Sequence, residues 1–235
     1  KKLALELGGN APFIVFEDAD LALAAKQAIL SKFRNAGQTC VCANRFYVQS
    51  SVYDEFLSLF KNEIAALQIG DGFAEGTTIG PLINQAAVEK AAAHVADARA
   101  KGATVLFGGE RLEGHFFQPT LLADMQEDML PSCEETFAPI APVYRFDSED
   151  EAIARANATP FGLAAYFCSR DLGRVMRVSA ALEAGIIGVN EGIISTEVAP
   201  FGGVKQSGLG REGAQQGMDE YSEIKYTLIG YAGSA

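Results

Sequence analysis

The sequence predicts an α/β fold, a three-layer αβα arrangement in which helices cover both faces of a mostly parallel sheet. Short apolar runs of strand length alternate with amphipathic helical stretches along nearly the whole chain, the order that parallel strands with helical crossovers produce. A length of 235 residues with 49% hydrophobic side chains is enough for one large core. The recurring Gly, Pro and Asn breaks between runs mark the connections.

Residues 12–16 form the first strand-length apolar run, and Asp18 and Asp20 then offer an N-cap to a helix over 21–35 that Gly37 stops. Residues 45–48 read as a strand. Ser51 caps an amphipathic helix with Val52, Phe56, Leu57 and Phe60 on one face, ending before Gly70. The Gly-rich segment 70–80, closed by Pro81, is a loop, because apolar patterning continues on both sides. An Ala-rich helix over 83–100, a strand over 104–107 and a short extended piece at 121–122 follow. Alternation then resumes with strand 142–146, helix 148–157, buried strand 163–169, helix 172–183 and strand 185–190. Residues 223–231 alternate apolar and polar like a strand with no partner in the chain, which suits an arm pairing with another subunit.

The balance of 19 Lys+Arg against 30 Asp+Glu gives −11 without a local basic cluster, which argues against nucleic acid or an anionic membrane surface as a partner. The longest apolar runs fall far short of the roughly 18 residues a membrane span needs. Cys40, Cys42, Cys133 and Cys168 are too few and scattered for a disulfide framework, which fits a reducing, cytoplasmic setting. The opening Lys1-Lys2-Leu3 has neither an initiator Met nor the regions of a signal peptide and reads as a cut. His94 and His115 stand apart from any ligand pattern, so they read as surface or structural residues, and no metal is expected.

The chemistry concentrates in two segments. In the first, Arg34-Asn-Ala-Gly-Gln-Thr-Cys40-Val-Cys42, the helix ends at a Gly and delivers Cys40 into an irregular turn, where backbone N–H groups can favour a thiolate. On the residues alone, Cys40 fits equally a small buried hydrophobe. In the second, Leu5-Glu6-Leu7-Gly8-Gly9-Asn10, a carboxylate sits in an apolar run before two glycines; desolvation would raise its pKa toward that of a general base, and a satisfied strand-end Glu is the plain alternative.

Glu6-Leu-Gly-Gly9 and Gly37-Gln-Thr-Cys40, whose Cys lies 34 positions beyond Glu6, resemble the paired active-site signatures of aldehyde dehydrogenases. The likeness extends, in order, through Glu135-Thr-Phe137-Ala-Pro139, Phe161-Gly-Leu163 and Pro200-Phe-Gly-Gly-Val-Lys-Gln-Ser-Gly208, over essentially the whole chain. It implies the fold of that family's catalytic domain over residues 1–221 and a C-terminal oligomerisation arm over 222–235. It further implies a homodimer or homotetramer, with NAD or NADP as cofactor. Cys40 is then the nucleophile and Glu6 the base; Glu135 holds the nicotinamide ribose and Phe137 packs beside the cofactor. The family usually has Gly where this chain has Ala138, which bears on the local backbone there.

Residues 35–42 with Asn190-Glu-Gly-Ile-Ile-Ser195 resemble the succinate-semialdehyde branch, in which Arg34 and Ser195 grip the substrate's distal carboxylate. Read without the resemblance, Arg34 caps its helix and Ser195 is a loop serine. The resemblance also implies that most of the dinucleotide site and an oxyanion-holding amide lie upstream of Lys1, so that this chain alone is inactive. Cys42 is a redox partner for Cys40 through a strained i, i+2 disulfide, or a small core residue. Gly208, Gly210 and Gly213 fit a dinucleotide fingerprint but follow a loop, not a strand, and receive no phosphate role. Two other classes stand beside this reading. A non-catalytic scaffold domain would not need Glu6, Cys40 and Glu135 together. A thiol hydrolase would need a His near Cys40.

Overall fold

The computed structural model describes residues 3–230 and 233. The expectations that rest on Lys1, Lys2, Tyr231 and the last residues of the arm lie outside that range. The elements run β1 (Leu5–Glu6), β2 (Ala11–Val15), α1 (Leu21–Lys32), β3 (Ala43–Gln49), α2 (Tyr53–Ala65), α3 (Gln85–Ala100), β4 (Thr104–Phe107), β5 (Thr120–Ala123), α4 (Leu130–Cys133) and β6 (Ile140–Phe146). They continue with α5 (Glu149–Asn157), β7 (Phe161–Gly162), β8 (Ala164–Cys168), α6 (Leu172–Ala181), β9 (Ile186–Val189), β10 (Val204–Lys205), β11 (Gly208–Leu209) and α7 (Ala214–Asp219).

Seven strands form one sheet in the order β4-β5-β6-β3-β2-β8-β9. Every pairing is parallel except β4 with β5 at one edge. From β2 the chain steps to β3 through α1, whereas β8 steps outward to β9 on the other side through α6. Right-handed crossovers in opposite directions put their helices on opposite faces. Accordingly α1 packs with α2 and α5 with α6, giving the three layers expected from the alternation. The central strands are buried on both faces, and Phe13, Phe46, Tyr47, Tyr144 and Tyr166 fill the core between sheet and helices. No helix among the described residues is long and apolar enough to cross a membrane.

Local chemistry explains most boundaries. Asp20, Asn84, Ser148 and Asp171 each accept a hydrogen bond from a first-turn N–H of the helix they precede. Ser51 does not cap α2: it lies in a 3-10 turn, its hydroxyl donates to Glu17, and Val52 occupies the cap position. Helix α1 stops at Lys32 instead of residue 35, because Asn35 and Ala36 adopt left-handed backbone (φ 52° and 54°) ahead of Gly37. The chain reverses there to carry Cys40 back toward β3.

Two features were not visible in the hydropathy pattern. Arg45 lies inside β3 at 1% exposure, donating to the carbonyls of Asn10, Arg155 and Ala156 and to the Tyr47 hydroxyl. A guanidinium has five donors, and this saturation is what makes its burial tolerable. The paired short strands β1–β11 fasten the chain's last third onto its beginning, and β7–β10 tie the 161–162 turn to the same late segment. Residues 222–230, by contrast, form no strand within this chain.

Gly208 sets the β1–β11 pairing: its φ is +135°, and a Cβ there would stand 1.9 Å from the Leu5 carbonyl oxygen. Gly208→Ala is therefore expected to destabilise the fold by at least about 1–3 kcal/mol, read as a lower denaturation midpoint; an unchanged midpoint would contradict the pairing.

Candidate active site

Strands β6, β3, β2 and β8 are adjacent and parallel, so the residues just ahead of each arrive at one rim of the sheet. Glu135–Phe137 lead into β6, Cys40 into β3, Glu6–Gly9 into β2, and Phe161–Gly162 into β8. Four of the five motifs that stood far apart in sequence thus converge at the amino rim. In open α/β sheets ligands usually gather at the carboxyl ends of strands; here the chemistry-bearing side chains sit opposite.

At the centre, Cys40 Sγ lies 3.4 Å from Glu6 Oε2, with the thiol as donor. Glu135 Oε1 accepts the Gly9 N–H at 3.0 Å. Both approaches need the absence of side chains: a Cβ on Gly9 would stand 2.3 Å from the Cys40 carbonyl oxygen, and one on Gly8 would stand 3.0 Å from Glu135 Oε2. Gly37, at φ +75°, meets the Ala138 carbonyl equally closely, joining the nucleophile turn to the 135–138 segment.

Burial pushes the Cys40 thiol up to about 11, and the charge and hydrogen bond of Glu6 add to it. Burial also raises Glu6 above the ordinary carboxylate range, against the opposing hydrogen bond from Cys40, with Glu212 and Glu135 adding repulsion. The backbone of the turn does favour the charged form through the Cys40 N–H, as expected, but burial and Glu6 oppose it more strongly. Both shifts favour the protonated forms of the pair.

Phe137 is 38% exposed at φ 53°, beside the rim. Arg34 is exposed and has no ion pair among the described residues. Ser195 is exposed on the loop after β9, which is anchored where Gly192 donates its N–H to the Gln27 side chain and fits against the Gln27 carbonyl and the Ser31 N–H of α1. Arg34 and Ser195 each lie three positions past that anchor, Arg34 beyond Ser31 and Ser195 beyond Gly192.

Residues 1–227 match the model of the aldehyde dehydrogenase family. The chain belongs to that family. It is 60% identical to the NADP+ succinate-semialdehyde dehydrogenase of Escherichia coli K12, over 98% of this chain and 48% of that protein. It is 58% identical to a glutarate-semialdehyde dehydrogenase of Pseudomonas putida, over 97% of this chain and 48% of that protein. A crystal structure described as an E. coli NADP dependent enzyme superposes with a TM-score of 0.96 at 60% identity, covering 98% of this chain and 48% of that one. The chain therefore spans about half the length of the curated relatives it matches.

Within this aldehyde dehydrogenase chain Ala138 fits without strain: it is 1% exposed and is not among the residues with positive φ. Two of the fingerprint-like glycines serve packing, Gly208 against the Leu5 carbonyl and Gly210 against Glu220 and Ala4. Several contributors escaped the sequence reading. Ser207, fully buried, donates to the Gly8 carbonyl at 2.7 Å and accepts the Gly162 N–H at 2.9 Å, binding the base-bearing segment to the β7 turn. Lys90 of α3 donates to the Glu135 carbonyl, and His94, 1% exposed, pairs with Glu134 at 3.3 Å. His94 is thus structural, as expected, and holds the 134–135 segment. Ser207 stood inside a quoted motif, but nothing in hydropathy marks a His or Lys on α3 as facing the rim. Cys42 is fully buried, with its sulfur against Lys32 and Asn44, while Cys40 faces Glu6.

Removing the Glu6 charge removes one of the causes that hold the Cys40 thiol up and weakens a second, the hydrogen bond to a charged acceptor. Glu6→Gln is therefore expected to move the pH midpoint of Cys40 alkylation by iodoacetamide below that of the wild type, and to speed alkylation at neutral pH. A superimposable profile would mean that the carboxylate does not act on the thiol.

Proposed function

We propose that the whole protein oxidises an aldehyde bearing a distal carboxylate, of the succinate-semialdehyde kind, with NAD or NADP as hydride acceptor. This chain then supplies the nucleophile, the base and the contacts on the nicotinamide side. The observation that carries the reading is the 3.4 Å contact of Cys40 Sγ with Glu6 Oε2, one glycine pair away from the Glu135 carboxylate. The relatives named for succinate and glutarate semialdehydes, and for NADP+, support the substrate class and cofactor.

The residues fit a nicotinamide ribose at Glu135. One carboxylate oxygen is fixed by the Gly9 N–H, the other faces Gly8, and the exposed Phe137 ring offers an apolar surface beside it. When bound, the nicotinamide supplies a hydride acceptor. Glu6 takes the thiol proton as Cys40 Sγ adds to the aldehyde carbon, so nucleophile formation and attack are coupled instead of drawing on a standing thiolate. The Cys40 N–H faces the developing oxyanion. After hydride departure a thioester remains on Cys40. Glu6, having returned its proton to solvent, deprotonates the water that hydrolyses it, and its raised pKa suits both transfers.

Arg34, unpaired among the described residues, and Ser195 bind the distal carboxylate, the guanidinium supplying a two-donor fork. The arm supports a homodimer or homotetramer, because Tyr221, Ile224, Tyr226, Leu228 and Ile229 are all largely exposed and alternation places part of them on one face of an added strand.

In the full-length enzyme, Arg34→Ala is expected to raise KM for succinate semialdehyde by about 1.5–3 kcal/mol, roughly 10- to 100-fold, while leaving an unsubstituted aldehyde of similar length nearly unchanged. Equal losses on both substrates would assign Arg34 to the fold.

A further inference from the structure

Lys32 is the last residue of α1, and Cys42 is the last residue before β3, so they stand at the two feet of the loop that carries Cys40. Their side chains meet inside the protein. Lys32 Nζ lies 3.4 Å from Cys42 Sγ and 2.8 Å from Asn44 Oδ1, and both Lys32 and Cys42 are 0% exposed. The remaining neighbours of the sulfur are the Lys32 and Ala43 carbonyls at 3.4 and 3.6 Å. No carboxylate forms an ion pair with Lys32 among the described residues, although Glu135 is near enough to act on it through space. A fully buried amine whose near partners are a thiol and an amide is an unusual use of lysine, and the catalytic reading gives it no part.

We propose that Lys32 and Cys42 form an oxidation-sensitive pair that closes to a covalent N–O–S bridge, the ε-nitrogen joined to the sulfur through one oxygen, with a peroxide as oxidant. The bridge ties the feet of the nucleophile loop without consuming Cys40.

Burial lowers the lysine pKa and raises that of the Cys42 thiol, so both shifts run toward the uncharged amine and thiol that the contact geometry brings together. Hydrogen peroxide first converts the thiol to a sulfenic acid, forming the S–O bond and releasing one water. A second peroxide then accepts the electron pair as the sulfenic O–H and one amine N–H are lost and the N–O bond forms, leaving as two waters. Sulfur and nitrogen are oxidised and both peroxides reduced. Two equivalents of a dithiol reverse the process, returning thiol and amine and releasing the bridging oxygen as water. Hydrogen peroxide is small and uncharged, which suits a closed site. A Cys40–Cys42 disulfide would require Cys42 to leave Lys32 and turn toward the rim; the N–O–S bridge forms from the contact already present.

The test is to treat the purified protein with hydrogen peroxide carrying heavy oxygen, alkylate free thiols, digest with trypsin and analyse the peptides by mass spectrometry. The expected result is loss of cleavage after Lys32 and a cross-link from Lys32 to the peptide 35–45. The linked pair gains one heavy oxygen and loses two hydrogens, carries an alkylated Cys40, and reverts on dithiothreitol treatment. Lys32→Arg should abolish the link; should that variant fail to fold, Cys42→Ser serves the same purpose, and the heavy-oxygen label in the wild type decides by itself. Normal cleavage after Lys32 with an oxygen only on Cys42, a link without oxygen, an unmodified Cys42, or a Cys40–Cys42 disulfide within peptide 35–45 would each overturn the proposal. None of these outcomes depends on the substrate.

Discussion

The amino rim depends on backbone that carries no side chains. Gly8 and Gly9 let the Glu6 segment lie so close to the Cys40 carbonyl and the Glu135 carboxylate that even a methyl group on Gly9 would overlap a backbone oxygen. Gly37 does the same between the nucleophile turn and Ala138. Where three backbones touch, a side chain and a backbone N–H from segments separated by more than a hundred residues come within hydrogen-bonding distance. Close-packed backbone is also stiff, which holds a nucleophile and its base in fixed geometry without help from long side chains.

That closeness sets the electrostatics. The half-buried Cys40 thiol faces Glu6, and burial pushes both groups toward their protonated forms. The two groups therefore share one proton-transfer problem: on the proposed reading, the base that activates water is the same group that holds the sulfur protonated until an aldehyde arrives. A permanent thiolate would be more exposed to adventitious oxidation and alkylation. The arrangement trades standing reactivity for protection.

Much of the architecture was legible in the sequence because parallel strands buried on both faces must be apolar, and their alternation with helices leaves few topologies. The rim was legible through its motifs, since the close approaches admit only glycine at Gly9 and Gly37. Other parts depend on tertiary contacts that no local pattern encodes. Arg45 and Lys32 read as surface charges, yet each is buried because carbonyls, amides or a thiol from distant segments meet it. The end of α1 was placed three residues late, because left-handed Asn35 and Ala36 are tolerated only in the context of the turn. The arm reads as a strand from its alternation, but a strand exists only where a neighbouring edge is offered.

The most direct measurement is a single turnover of the full-length Glu6→Gln enzyme with succinate semialdehyde and oxidised cofactor, followed by rapid acid quench and peptide mass spectrometry. The account predicts that reduced cofactor appears in about one equivalent per site while a succinyl group accumulates on Cys40, because without the Glu6 charge Cys40 ionises more readily and attacks without a base, whereas the water that hydrolyses the thioester still lacks one. Sustained turnover with Cys40 unmodified, or an acyl group on any other residue, would contradict it.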